Sequence, residues 1–128
     1  MARIVLIVED TELALDALEI ALAQLPGVGL HMVPTAEEAL DCLRQEHLAG
    51  DICAMITDLH LPQMNGFELI QAVRSHTGCG ALPILVISGD SDPRTASRLE
   101  ALGADAYFQK PFSPIEVRNR LEQLIDAS

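Results

Sequence analysis

Tryptophan is absent from this chain, which has one tyrosine and three phenylalanines. Any folded core must therefore be aliphatic, and with 49% of the residues apolar there is enough aliphatic material for a compact α/β domain. Cysteine is scarce: Cys42, Cys53 and Cys79 are odd in number and share no C-x-x-C spacing. That suggests neither a disulfide framework nor a zinc site, and reads as reduced, buried or half-exposed thiols. Basic residues are few, 8 against 19 acids, giving a net charge of −11. A field of that sign opposes nucleic acid and anionic membrane, while suiting a metal cation or a partner with basic patches. No apolar stretch approaches the ~20 residues of a membrane span. Asp10 also cuts the first apolar run too early for a signal peptide, so the chain is expected in the cytoplasm.

What is present alternates. The length of 128 residues suits one domain, taken as residues 1–128. Ile4 to Val8 reads as a strand, and Leu15, Leu18, Leu22 and Leu25 then mark one face of a helix that Pro26-Gly27 stops. Val28 to Val33 reads as a second strand, and Thr35 with Glu38 as a capping box opening a second helix. Ala49-Gly50-Asp51 turns into a strand that ends at Asp58. After a loop over 59–66, Phe67, Ile70 and Val73 recur at helical spacing. Ser75 to Ala81, with Gly78 and Gly80, reads as a flexible connection to a strand over Leu82–Ser88. A helix is expected from about Asp92 to Leu102, closed by Gly103, and a last strand over Ala106–Gln109. Ser113-Pro114-Ile115-Glu116 then has the form of an N-cap, a first-turn proline and an N3 glutamate. Five strand–helix units with short connections predict a doubly wound parallel sheet.

Four of these strands break off at chemically distinctive residues: Glu9-Asp10, Asp58, Ser88 and Lys110, the only lysine in the chain. Parallel strands place their carboxyl ends on one edge, where open α/β sheets bind ligands. Strands about 4.8 Å apart would bring the three carboxylates to within roughly 5 Å. At an effective dielectric near 20, each such pair repels by about 3 kcal/mol. That is heavy for a domain stable by about 5–15 kcal/mol, and one ammonium does not balance three acids. An all-oxygen donor set of this kind suits Mg²⁺, which keeps several waters. A carboxylate such as Asp58 can also take up a phosphoryl group covalently, as an acyl phosphate.

The stretches Ile7-Val8-Glu9-Asp10, Asp58 to Gly66, Ile87-Ser88-Gly89 and Lys110-Pro111-Phe112, in this order and spacing, resemble the receiver domain of two-component response regulators. The resemblance covers essentially the whole chain. It implies a flavodoxin-like α/β fold with a five-stranded parallel sheet of order 2-1-3-4-5 and five flanking helices. It implies that Asp58 is the phosphoacceptor, and that Mg²⁺ sits on Glu9, Asp10, Asp58 and the backbone carbonyl of His60. Ser88 and Lys110 would hold the phosphoryl oxygens, Lys110-Pro111 would be a cis peptide, and Ser88 with Tyr107 would form the switch. The implied partners are a histidine kinase or histidine phosphotransfer protein and an output domain or downstream effector. A homodimer through the face near the last two helices is also implied, where Arg94, Arg98, Arg118 and Arg120 lie. The chain is expected to be a phosphoacceptor, not an enzyme, standing alone or as the amino-terminal part of a longer regulator.

Three positions depart from the commonest pattern. His60 follows two residues after Asp58, Gly89 stands in place of alanine, and Asn65 stands where aspartate is frequent. Asn65 is expected to matter only to its turn; His60 reads equally as a surface histidine or, with Gly89, as a group flanking the phosphoryl site that would bear on how long the phosphate lasts. His31, His47 and His76 show no ligand spacing. A Mg²⁺-dependent phosphatase would have a second acid in place of His60. A nucleotide-binding module would need a Gly- or hydroxyl-rich loop after the first strand, where Glu9-Asp10-Thr11-Glu12 instead repels phosphate.

Overall fold

The apolar alternation resolves into ten elements in the computed structural model, which describes residues 3–45, 50–76 and 80–127. They are β1 Arg3–Val8, α1 Glu12–Leu22, β2 Val28–Val33, α2 Ala36–Arg44, β3 Ile52–Asp58, α3 Gly66–Ser75, β4 Ile84–Ser88, α4 Thr95–Leu102, β5 Ala106–Gln109 and α5 Pro114–Ala127. The strands form one sheet in the order β2-β1-β3-β4-β5, every neighbour parallel. His47, Cys79, Gly78 and the middle of the connection over 75–81 lie outside the described residues.

Each central strand is apolar on both faces because helices cover both. Leu6 and Val8 of β1 and Ile84 and Val86 of β4 face the core built with α2, α3 and α4. Their neighbours Val5, Ile7, Leu85 and Ile87 face the core built with Leu18 and Leu22 of α1 and Val117, Leu121 and Ile125 of α5. This two-sided burial is what near-continuous aliphatic runs in a parallel sheet require.

Register fixes the functional edge. Val8 pairs with Thr57, Asp58 with Ile87, and Ser88 with Gln109. Glu9, Asp58, Ser88 and Lys110 consequently emerge side by side where the strands end.

Several boundaries differ from the sequence expectation, each for a local reason. β4 begins at Ile84, since Pro83 has no N–H to give a ladder and the Leu82 carbonyl is taken by the Arg74 guanidinium. α4 begins at Thr95, because Asp92 is spent on a turn: its carboxylate accepts from the Arg94 amide and its carbonyl from Thr95 N–H. Thr35 does cap α2, accepting from Glu38 N–H at 3.1 Å, but the Glu38 carboxylate takes the Thr35 hydroxyl and not the Thr35 amide. The complete capping box belongs to Asn65, which accepts from Glu68 N–H at 2.9 Å while the Glu68 side chain accepts from Asn65 N–H at 3.1 Å. Asn65 is thus a helix cap, more than the turn former expected.

Gly103 closes α4 in the left-handed region at φ 95°, as its position predicts. Its carbonyl accepts from Arg74, whose guanidinium also reaches the Gly80 and Leu82 carbonyls and the Asp105 carboxylate. One side chain on α3 therefore ties together the approaches to β4 and β5. Among the described residues, no helix is long and apolar enough to cross a membrane.

Candidate functional site

At the carboxyl edge, β1 delivers Glu9 fully buried, and β3 delivers Asp58 with 5% of its surface exposed. Lys110, just past β5, reaches between them: its Nζ donates to Glu9 Oε1 at 2.6 Å and to Asp58 Oδ2 at 2.8 Å. The other Asp58 oxygen accepts from the Leu59 and His60 amides at 2.6 and 3.2 Å. Glu9 also accepts from the Thr11 hydroxyl and the Asp10 amide. The two acids are oriented by donors on every side.

The β3–α3 loop is held by close backbone packing. Gly66 N–H donates to the Leu59 carbonyl, and a Cβ at Gly66 would stand 2.3 Å from the Asp58 carbonyl oxygen. No side chain fits there, which explains the glycine at that point in the motif. Gln63 takes φ 64° in the same loop.

Next to Asp58, Ser88 is fully buried at the end of β4, and its hydroxyl accepts from Asp90 N–H at 3.1 Å. The Ser88 carbonyl accepts from Lys110 N–H, which anchors the β5 end. The Lys110-Pro111 peptide is cis. Tyr107 is half-buried and donates its hydroxyl to the Asp90 carbonyl at 3.0 Å. At the rim, His60 and Gly89 are exposed, and a Cβ added to Gly89 would meet open space.

Burial dominates the electrostatics, and Lys110 opposes it. Burial pushes the Glu9 carboxyl up, reinforced by the Asp58 charge and only partly offset by Lys110. Burial alone would raise Asp58 too, but the Lys110 hydrogen bond and the His60 amide hold it below the usual carboxylate range. For Lys110, burial favours the neutral amine, yet bonds to Asp58 and Glu9 lift its pKa above the ordinary lysine value. Burial and the Asp90 charge raise the Tyr107 phenol. Two carboxylates share one ammonium, so the site stays one charge short of neutral.

The three-carboxylate cluster expected from strand spacing is not formed. Asp10 is exposed, and among the described residues no group of three or more His, Cys, Asp or Glu side chains is placed to hold a metal. Lys110 already stands between the two acids that do meet. The donors that remain still fit Mg²⁺, which binds through one or two carboxylates and keeps its other waters.

The four arginines expected to offer charge to a partner are each engaged within the chain. Arg94 pairs with Asp92 at 3.0 Å and Arg98 lies 3.8 Å over the Phe67 ring. Arg118 reaches Gln24 and Arg120 reaches Gln123. Asp90, which no sequence motif singles out, touches more of the site than any of them.

The model of the response regulator receiver domain matches residues 5–122. The chain belongs to that family. Among curated relatives, this receiver is 31% identical over 123 residues to the transcriptional regulatory protein GltR of Pseudomonas aeruginosa, covering 96% of the chain and 49% of GltR. It is 27% identical over 120 residues to the chemotaxis protein CheY1 of Helicobacter pylori, covering 94% of each. The chain spans about half the length of GltR and 10% of the protein RcaC of Microchaete diplosiphon, to which it is 41% identical over 68 residues. Among solved structures, a response regulator receiver protein from Pseudomonas putida superposes with a TM-score of 0.79 at 30% identity, over 100% of this chain and 98% of that one. The doubly wound sheet in the order 2-1-3-4-5 with five helices is the fold of this family.

Proposed function

We propose that this receiver takes a phosphoryl group onto Asp58 from a phosphohistidine on a histidine kinase or phosphotransfer protein. The observation that carries this reading is the Lys110 bridge between buried Glu9 and buried Asp58, with Ser88 buried at the end of the adjacent strand. A carboxylate oxygen of Asp58 attacks phosphorus, a mixed anhydride forms, and the donor imidazole departs. Charge gathers on the equatorial oxygens, and positioned donors stabilise it. Lys110 and Ser88 are the donors at hand. Glu9, Asp58 and the His60 carbonyl would hold Mg²⁺, with the exposed Asp10 turning in from solvent to join them, and the ion would supply positive charge to the phosphoryl oxygens when bound. The Leu59 and His60 amides keep Asp58 oriented throughout.

In this role the protein is an acceptor that is consumed once and slowly reset by water, not a turnover enzyme. The output runs through Ser88 and Tyr107: a phosphoryl group that draws the Ser88 hydroxyl away from Asp90 N–H alters the loop to which Tyr107 is bonded. The relatives' printed names, a transcriptional regulator and a chemotaxis protein, suggest an output domain or a separate effector as the recipient. The free Cys42 and Cys53 thiols suit a reducing cytoplasm.

Incubation with Mg²⁺ and acetyl phosphate, followed by intact-mass measurement, tests this directly. One phosphate adduct is expected, absent in Asp58→Asn and after chelation of Mg²⁺. No adduct under conditions that label another receiver would overturn the reading.

A further inference from the structure

Asp90 sits where four elements of the site meet. Its amide donates to Ser88 Oγ, its carbonyl accepts from Tyr107 OH, and its Oδ1 accepts from the Asp92 amide. The fourth contact crosses the cleft: His60 Nε2, on the loop after Asp58, lies 3.6 Å from Asp90 Oδ2. His60 follows Leu59, and both backbone amides hold the Asp58 carboxylate. A continuous line thus runs from Asp58 through His60 and Asp90 to the Tyr107 hydroxyl, and its His60–Asp90 step bypasses the Ser88 hydroxyl.

We infer that the His60–Asp90 contact is a strut that positions Asp90 for Tyr107, making His60 a second route by which the Asp58 loop reports to the tyrosine. The strut is present without phosphate, and only its phosphate-dependent half rests on the function proposed above. His60 touches Asp90 through its side chain alone, whereas its amide serves Asp58, so side-chain substitution separates the two roles. With Gly89 between Ser88 and Asp90 adding no side chain, and open space where its Cβ would be, the imidazole is what spans this side of the cleft. The contact is 67% exposed on the histidine side and 21% on the aspartate side. An exposed contact of this kind biases an equilibrium by a factor of roughly 1.5 to 5.

Tyr107 is the sole tyrosine, so 3-fluorotyrosine labelling gives one ¹⁹F resonance that reports this position. In the unphosphorylated protein, His60→Ala should shift that resonance toward the unbonded form, lowering the ratio of bonded to unbonded Tyr107 by about 1.5- to 5-fold. His60→Gln, which keeps an N–H donor in reach of Asp90, should restore it, and the melting temperature should hold in both variants. An unchanged resonance in His60→Ala overturns the strut, as does a shift that His60→Gln fails to reverse. With acetyl phosphate and Mg²⁺, part of the Tyr107 response should survive in Ser88→Ala and vanish in the Ser88→Ala/His60→Ala pair. If the double variant responds as Ser88→Ala does, the second route is refuted. Failure of the wild type to take up phosphate would instead refute the role of Asp58, and the unphosphorylated comparison would still decide the strut.

Discussion

Replacing Lys110 by methionine removes the ammonium while keeping most of the side-chain volume. The ammonium lies 2.6 Å from one buried carboxylate and 2.8 Å from another, and among the described residues it is the one side-chain cation bonded to either. Taking one partner from a fully buried pair costs about 3–5 kcal/mol. The Lys110 side chain is 26% exposed, so screening trims the expected loss to about 2–4 kcal/mol near neutral pH. In a domain of this size 1 kcal/mol moves the melting temperature by about 4 °C, which gives a fall of about 8–16 °C. The loss must also depend on pH. Without the ammonium, burial and the Asp58 charge act unopposed on Glu9, whose carboxyl already sits above the usual range. The penalty is therefore felt above the folded pKa of Glu9 and is relieved as pH falls through it. In the wild type, Asp58 is depressed, so its contribution is present above the ordinary carboxylate pKa and is lost as pH falls through the folded value. Wild type and variant should thus differ most near neutral pH and above, narrow as pH falls through the folded pKa of Glu9, and converge only below the ordinary carboxylate range, once Asp58 is protonated. Urea unfolding followed by far-ultraviolet circular dichroism across that range measures it. A destabilisation that is the same at both ends, or one that persists undiminished in a Glu9→Gln background, would refute the shared-ammonium account.

Three further outcomes follow from separate parts of the structure. Gly66→Ala places a Cβ 2.3 Å from the Asp58 carbonyl oxygen and 2.7 Å from Leu59 Cα, so backbone must move; a loss of about 1–3 kcal/mol is expected, with slower acetyl phosphate labelling. Wild-type labelling by that variant would contradict the packing argument. Arg74→Ala strips donors from the Gly80, Leu82 and Gly103 carbonyls and from Asp105, and should cost about 2 kcal/mol. Amide exchange at Ile84, which donates to Asp105, should quicken, and unchanged exchange would refute the staple. The Tyr107 phenol should ionise above the ordinary tyrosine value near 10, because burial and then the Asp90 charge raise it. Ultraviolet absorbance reads this single tyrosine, and a midpoint at or below the ordinary value would contradict its half-buried placement.

The sheet was legible because β1, β3 and β4 are buried on both faces, which writes continuous aliphatic runs into the chain. Gly103 and Thr35 were legible as a helix stop and a cap, since both signals are local in sequence. Arg74 was not. Its partners at Gly103 and Asp105 lie 29 and 31 residues away, and nothing in its own neighbourhood distinguishes it from a solvated helix arginine. Asn65 was misjudged for a related reason: an asparagine before Gly reads as a turn, and only the observed Glu68 geometry turns it into a capping box.

The electrostatics of the cleft show the limit more sharply. Strand spacing places backbones, and it brought the ends of β1, β3, β4 and β5 together as expected. It does not say which way a carboxylate turns, so three acids were counted where two converge and Asp10 stays exposed. Nor does spacing reveal that the long, flexible stem of Lys110 lets its ammonium settle between the pair. The conclusion drawn from the count nevertheless survives in weaker form: two buried negatives against one positive still leave a deficit. Under the proposed function that deficit has a use. A phosphoryl group on Asp58 competes with Glu9 for the same ammonium, so gaining Lys110 at one carboxylate means loosening it at the other. Glu9, with its raised carboxyl pKa, then has two ways to answer, a proton or a cation. A site balanced this way responds to added phosphate by rearranging charge that is already in place.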